Sequence, residues 1–201
     1  MDEIKYKGYT IQVKQDDDPM NPREDDNLGK MACYHSRYNL GDSHEYKTQE
    51  EFKEWLRANE KKVIMLPLYL YDHSGITMNT TGFSHCDSQR WDWGMVGVIY
   101  VTKECIKKEY SLKRNVNKRR EEMVKDMLRA EVEVYDQYLR NDTYGFQIVN
   151  PDGEETDSCW GYYGSDNVKS GLLESAQSEI DADIRHRLKT EGIQEELTLV
   201  A

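Results

Sequence analysis

Residues 68–102, LYLYDHSGITMNTTGFSHCDSQRWDWGMVGVIYVT, contain the pattern that decides the fold. They hold the end of one apolar run, KVIMLPLYLY (62–71), and the whole of a second, GMVGVIYV (94–101). Such runs are typical of strands that are buried on both faces of a sheet. Pro67 lacks a backbone donor, which favours a sheet edge or a bulge at that point. The stretch therefore predicts two core strands joined by a long polar connection.

The flanking segments predict further strands and helices. Strands are expected at 4–13 and 28–35, and a hairpin at 143–164 around the NPDG turn. Thr48 and Glu51 form the capping-box pattern of a helix that follows Thr48. A short helix is expected at about 102–110 and a longer one at about 117–139, whose apolar residues recur every three or four positions. A last helix is expected from about Asp166 to Lys189, ending at Gly192.

The predicted fold class is α+β, because strands and helices mix without regular alternation. We expect a mixed or antiparallel sheet, with a long amphipathic helix packed on it and a C-terminal helix. Residues 1–164 are expected to form a single core domain, and residues 165–201 a helix and tail packed on it.

Composition limits the classes of function. The chain has 201 residues and a net charge of −11, yet Lys103–Lys125 alone carries nine basic and four acidic residues. The dinucleotide, P-loop, zinc-protease and serine-hydrolase motifs are all missing. Four widely spaced cysteines suit reduced thiols, and no apolar run is long enough to span a membrane. We therefore expect a cytoplasmic protein without a signal peptide or a membrane span.

The polar connection between the two core strands predicts either an ordered loop or a metal site. Imidazole and carboxylate groups are ligands for zinc and similar ions. Their spacing fits no compact ligand signature, and glycine, serine, threonine and asparagine in the same stretch favour an ordered surface loop instead. The candidate metal ligands are Asp72, His73, His85, Asp87 and Asp92.

An acidic segment, residues 16–26, predicts a contact with a cationic surface. Carboxylates this close together repel one another unless a cation or a basic partner offsets them, and the calcium-loop pattern is missing. A simply solvated loop is the alternative. The candidate partner-binding residues are the acidic Asp16, Asp17, Asp18, Glu24, Asp25 and Asp26, together with the aromatic Trp91 and Trp93.

The basic segment KRNVNKRR (113–120) predicts a weaker, salt-sensitive contact with phosphates or a solvated helix start. It contains no aromatic residue on which a base could stack. We therefore expect no specific direct readout of nucleic acid.

Several phrases of the chain together resemble a known group of proteins. They are NPREDDNLGKMACYHSRYNLGD, LPLYLYDHSGITMNTTGFS, WDWGMVGVIYVT, YDQYL and DSCWGYYG. The group consists of small acidic proteins of phages and integrative mobile elements of Gram-positive bacteria, without an assigned function. The resemblance spans most of residues 5–164. It implies no reaction and no catalytic residue. It does imply an accessory protein that binds a protein of the host, and defence nucleases are among the host proteins that such accessory proteins bind.

The leading hypothesis is an accessory protein that inhibits a host defence complex, such as a CRISPR effector, through acidic and aromatic surface and without a cofactor. One alternative is a metal-dependent hydrolase of nucleotides or phosphodiesters, which would use a divalent metal at the 72–92 loop. Another is a homodimer that exchanges its last helix and tail between protomers.

Overall fold

The computed structural model describes residues 2–89 and 91–200, with side chains up to Thr190. The chain divides into two compact units, one formed by residues 1–20 with 141–201 and the other by residues 21–140. The division of the chain into residues 1–164 and 165–201 stays a prediction. In chain order the regular elements are β1 (Asp2–Tyr6), β2 (Tyr9–Gln15), β3 (Lys30–Cys33), α1 (Gln49–Asn59), β4 (Val63–Asp72), β5 (Ile76–Asn79), β6 (Trp93–Thr102), α2 (Lys103–Glu109), α3 (Lys118–Leu139), β7 (Thr143–Val149), β8 (Glu155–Tyr163) and α4 (Leu172–Val200).

The α+β class is confirmed, with two four-stranded sheets that are antiparallel throughout. Sheet A has the order β1-β2-β7-β8, and sheet B has the order β3-β6-β4-β5. No helix in the described part of the chain is long and apolar enough to cross a membrane.

The first unit, residues 1–20 and 141–201, consists of sheet A and α4. Alternate residues of β2 and β7 point to one face of the sheet, where they pack against α4. Its fully buried residues include Ile11, Phe146, Ile148, Leu172 and Ile180. The predicted strand at 4–13 is two strands, because Lys7 and Gly8 have positive φ angles (49° and 86°) and form a tight hairpin turn.

The C-terminal helix begins later than predicted. Gly171 has a φ of 80°, which is incompatible with an α-helix, so the helix starts at Leu172 rather than Asp166. Two apolar residues of the predicted span do not join the core: Val168 and Leu188 are 72% and 64% exposed. The predicted helix end at Gly192 is wrong, because the helix continues to Val200. The tail on which an exchange between protomers depends lies beyond Thr190, outside the described side chains.

The second unit, residues 21–140, is built on the two predicted core strands. These are β4 and β6, which pair along their whole length from Val63↔Thr102 to Tyr71↔Trp93. One face of sheet B packs against α3 through residues such as Leu68, Ile99 and Leu128. The other face packs against Phe52 and Trp55 of α1, whose start is capped by Thr48 as predicted, with Glu51 N donating to Thr48 Oγ1 at 3.1 Å.

Around Pro67 the structure has the features that the proline predicts, a strand edge and a bulge. It pairs with Val98 of β6, whereas β5 pairs only with residues 69–72 of β4, so among the described strands Pro67 has a neighbour on one side only. The register of β4 against β6 also shifts at Leu68/Tyr69, directly after the proline.

Candidate functional site

The segment between β4 and β6 is an ordered structure that uses its own side chains to satisfy its backbone. It includes the strand β5, which the sequence analysis missed. After β5, Asn79 Oδ1 accepts from the amides of Thr81 and Gly82 at 3.0 and 2.7 Å. Asp87 accepts from Gln89 N at 3.0 Å, Trp91 N at 2.6 Å and Asp92 N at 3.1 Å. The expectation of an ordered loop is therefore confirmed.

The two predicted histidine ligands of this loop are held apart from one another. His73 stacks on Tyr71 with ring centroids 5.9 Å apart, Tyr71 on Phe83 at 5.4 Å, and Phe83 on His85 at 6.4 Å. The two imidazoles thus form the ends of a row of four rings. His73 Nδ1 lies 3.0 Å from Asp92 Oδ2, whereas His85 is exposed at the far end.

The carboxylates of the loop contact protein donors. Asp72 forms an ion pair with Arg37 and accepts from Tyr38 Oη at 3.3 Å, and Asp87 is occupied by the backbone amides described above. Within residues 2–89 and 91–190, no three His, Cys, Asp or Glu side chains come close enough together to hold a metal ion. Of the five predicted ligands, only His73 and Asp92 have side chains in contact, and the divalent-metal alternative stays a prediction.

The two tryptophans of the segment differ in their roles. Trp93 is half-buried: it packs edge-on against Tyr69 at 5.7 Å and covers Gly82, and its indole nitrogen donates to the Asp87 carbonyl at 2.6 Å. Trp91 is 81% exposed, although its nitrogen donates to Gln89 Oε1 at 2.7 Å. Large exposed aromatic side chains are typical of binding surfaces, so Trp91 is the better contact candidate.

The acidic segment divides between the two units of the chain. In the first unit Asp16 is buried, its amide donates to Thr143 O at 2.8 Å, and its carboxylate accepts from Asp18 N at 3.1 Å. Asp17 and Asp18 are exposed. Asp16 therefore shapes the end of β2, and its two neighbours present the charge.

In the second unit Glu24, Asp25 and Asp26 are all exposed and follow one another along a tight turn. None of the three has an ion pair within the described residues. Asn21 caps the turn by accepting from Arg23 N at 3.0 Å, and Asn27 Nδ2 donates to the carbonyls of Pro22 and Asp25 at 2.8 and 2.9 Å. We call residues 24–26 the acidic triplet.

A buried arginine fixes this turn to the rest of the second unit. Only 3% of the Arg23 side chain is exposed. Its guanidinium contacts both oxygens of Asp42 at 2.8 Å, Glu131 Oε2 at 3.0 Å and the Gly29 carbonyl at 2.6 Å. Burial alone would lower the pKa of Arg23, but these hydrogen bonds raise it above its usual value. We call Arg23, Asp42 and Glu131 the arginine clamp.

The carboxylates of the clamp also hold backbone. Glu131 on α3 accepts from Leu28 N at 2.9 Å and Gly29 N at 3.1 Å, and Asp42 accepts from Met31 N at 2.7 Å. Gly29 permits this close approach, since a Cβ there would lie 2.4 Å from Leu128 Cδ2. The turn that bears the acidic triplet is thereby fixed from both sides.

The arginine clamp follows from no pattern in the sequence. The partners of Arg23 are 19 and 108 positions away, and no short-range pattern connects them. The one signal in the sequence is an arginine between a proline and three acids, in NPREDD.

Comparison with known proteins adds no relative: no protein-family description, curated protein or solved structure is significantly similar to this chain. The resemblance to proteins of phages and mobile elements stays a prediction.

Proposed function

We propose that this chain is a non-catalytic binding protein of a phage or mobile element that inhibits a host defence complex, for example a CRISPR effector. The acidic triplet would occupy a basic surface of the partner, with Asp17, Asp18 and Trp91 as further contacts. The protein would act in the cytoplasm of the host cell. The phage or mobile-element origin is inferred from the resemblance described above, and the mode of binding is inferred from the exposed acidic and aromatic side chains.

The observation that carries this proposal is an uncompensated acidic triplet on a rigid turn. Three adjacent exposed carboxylates repel one another, and no cationic side chain offsets them within the described residues. A basic surface would relieve this repulsion and would speed association through electrostatic steering. The arginine clamp holds the turn in one conformation, so binding would cost little loop-ordering entropy.

Trp91 offers a second contact of a different kind. An exposed tryptophan is a frequent anchor of protein interfaces, because its large ring loses much water-accessible area on binding. Trp91 precedes the start of β6, whereas the acidic triplet leads into β3, whose Lys30 pairs with Tyr100 near the end of β6. The two contacts therefore lie toward opposite ends of this strand, and we treat them as separate sites on one partner or assembly.

The test is capture of the partner from a Gram-positive host with a tagged protein, followed by mass spectrometry at low and moderate salt. We expect one stoichiometric defence or nucleic-acid-processing partner, which is lost as salt rises. The variant Glu24→Gln/Asp25→Asn/Asp26→Asn should weaken binding of the purified partner by about tenfold or more, since each charge contributes up to about 1 kcal/mol.

A matched control changes the net charge equally at exposed carboxylates elsewhere in the same unit: Glu54→Gln/Glu109→Gln/Glu133→Gln. The control should bind almost as well as the unchanged protein. Equal losses in both variants would indicate an effect of net charge alone, and full retention of affinity by the triplet variant would refute the acidic contact. Inhibition of the captured complex in a cleavage assay would separate an inhibitor from a passive ligand.

A further inference from the structure

A basic cleft of about 850 Å³ lies in the second unit, at the end of sheet B where β4 begins and β6 ends. Its volume is typical of ligand sites. Four lysines line it: Lys61 and Lys62 before β4, and Lys103 and Lys107 on α2. Among the described residues of the lining, Glu104 is the one that is acidic.

Three of these lysines are not neutralised. Lys103 Nζ forms an ion pair with Glu121 at 2.5 Å. Within the described residues Lys61, Lys62 and Lys107 have no carboxylate partner. Two of them contact asparagines instead. Lys107 Nζ donates to Asn115 Oδ1 at 2.8 Å, and Lys62 Nζ lies 3.5 Å from Asn59 Oδ1. The asparagines orient the ammonium groups without cancelling their charge, so the cleft attracts anions.

The cleft also has an aromatic wall, which the basic part of the sequence lacks. Trp55 of α1 lines it and is held by its neighbours, with ring centroids 5.2 Å from Tyr100 and 6.1 Å from Phe52. The fold therefore brings a fixed, half-buried ring beside Lys103 and Lys107, which are about fifty positions away in sequence. This juxtaposition suits base stacking beside bound phosphates.

We propose that this cleft binds phosphate groups, either of a free nucleotide or of a single-stranded nucleic-acid backbone. Lysine binds phosphate as a point charge, and the three ammonium groups without a carboxylate partner among the described residues supply that charge. The loop that supplies Asn115 and Val116 to the cleft leads into Lys118, Arg119 and Arg120, so basic residues continue along the chain from the site. An extended polyanion would find more cations there.

The ligand is recognised by charge and stacking, without a base-specific contact. This inference does not depend on the acidic triplet or on any protein partner. It is tested on the purified chain alone, so the two proposals can fail separately.

The experiment measures fluorescence anisotropy of a labelled oligothymidylate with increasing salt, for the unchanged chain and for Lys61→Gln/Lys62→Gln/Lys107→Gln. Each phosphate contact with single strands contributes about −0.7 to the slope of log affinity against log salt. Loss of three contacts should reduce the steepness of that slope by about 2 and weaken binding about tenfold or more at about 50 mM salt. Circular dichroism establishes that the variant is folded.

The matched control is Lys53→Gln/Lys108→Gln/Lys169→Gln, which removes the same charge from exposed lysines outside the cleft. It should keep most of the affinity and the full salt slope. Competition by ATP at equal phosphate concentration would identify a nucleotide site, and competition by unlabelled oligothymidylate alone would identify a backbone site; both support the inference. No binding, equal losses in both variants, or displacement by polyglutamate as effective as by oligothymidylate would overturn it.

Discussion

Replacing Arg23 with alanine removes the centre of the arginine clamp. The side chains of Asp42 and Glu131 are only 19% and 16% exposed, so both carboxylates would stay largely desolvated without their shared cation. They keep the backbone donors Leu28, Gly29 and Met31, which limits the loss. Removing one partner from such a network costs about 3–5 kcal/mol. This is a large part of the total stability of a domain, which is typically about 5–15 kcal/mol.

The free energy of unfolding is measured by urea denaturation followed by tryptophan fluorescence. Arg129→Ala is the matched control, because Arg129 lies on α3 in an exposed pair with Asp126 at 2.6 Å and should cost less than about 1 kcal/mol. Hydrogen exchange adds a local readout: the amides of Leu28 and Gly29, which donate to Glu131, should lose protection in the Arg23 variant.

A loss of stability in Arg23→Ala no larger than that in Arg129→Ala would refute the role given to the clamp. That result would mean that water already solvates both carboxylates of the clamp. A large loss of stability without faster exchange at Leu28 and Gly29 would be a different failure. It would show that Arg23 supports the core of the unit but does not order the turn bearing the acidic triplet.

Two further predictions concern buried titratable groups. Burial raises the pKa of the Cys33 thiol to about 12. Iodoacetamide at pH 8 should therefore label the exposed Cys86, Cys105 and Cys159, and should label Cys33 only in denaturant. Equal labelling rates at all four cysteines, measured by peptide mass spectrometry, would contradict this. Burial is the main cause that raises the pKa of Tyr100 from 10.0 to about 12, and the neighbouring Tyr46 raises it further. Its contribution to stability is therefore complete below pH 10 and is lost between pH 10 and 12, about 3 kcal/mol in all. Tyr100→Phe should flatten this alkaline decline in denaturation curves, and an unchanged decline would refute the assignment.

The elements that were predicted correctly are those whose local pattern and tertiary role agree. β4 and β6 follow from continuous apolar runs, and α3 follows from its apolar spacing, because the same residues are buried against one another in the fold. β5 was missed because it is only four residues long, Ile76–Asn79, and apolar residues alternate in it with a threonine and an asparagine, which are common in loops. Its pairing depends on α3, where Asp136 accepts from Thr77 Oγ1 at 2.6 Å and Met78 N at 2.7 Å.

The candidate sites were only partly predictable for the same reason. The exposure of the acidic triplet and of Trp91 agrees with what their residue types suggest. The arginine clamp and the aromatic wall of the basic cleft depend on residues that are distant in sequence, such as Arg23 with Glu131 and Trp55 with Lys107. The type of a charged or aromatic residue does not indicate which distant residue it contacts, so these features could be identified only from the fold.

The discontinuous first unit has a consequence for the order in which the protein forms during synthesis. β2 exposes the apolar Tyr9, Ile11 and Val13 as soon as it is made, but its partner β7 follows more than a hundred residues later, and α4 later still. Residues 21–140 are continuous and contain all of sheet B. On the ribosome this second unit can therefore complete itself before β7 and α4 have been made, so the hairpin of β1 and β2 leaves its apolar face exposed for longer.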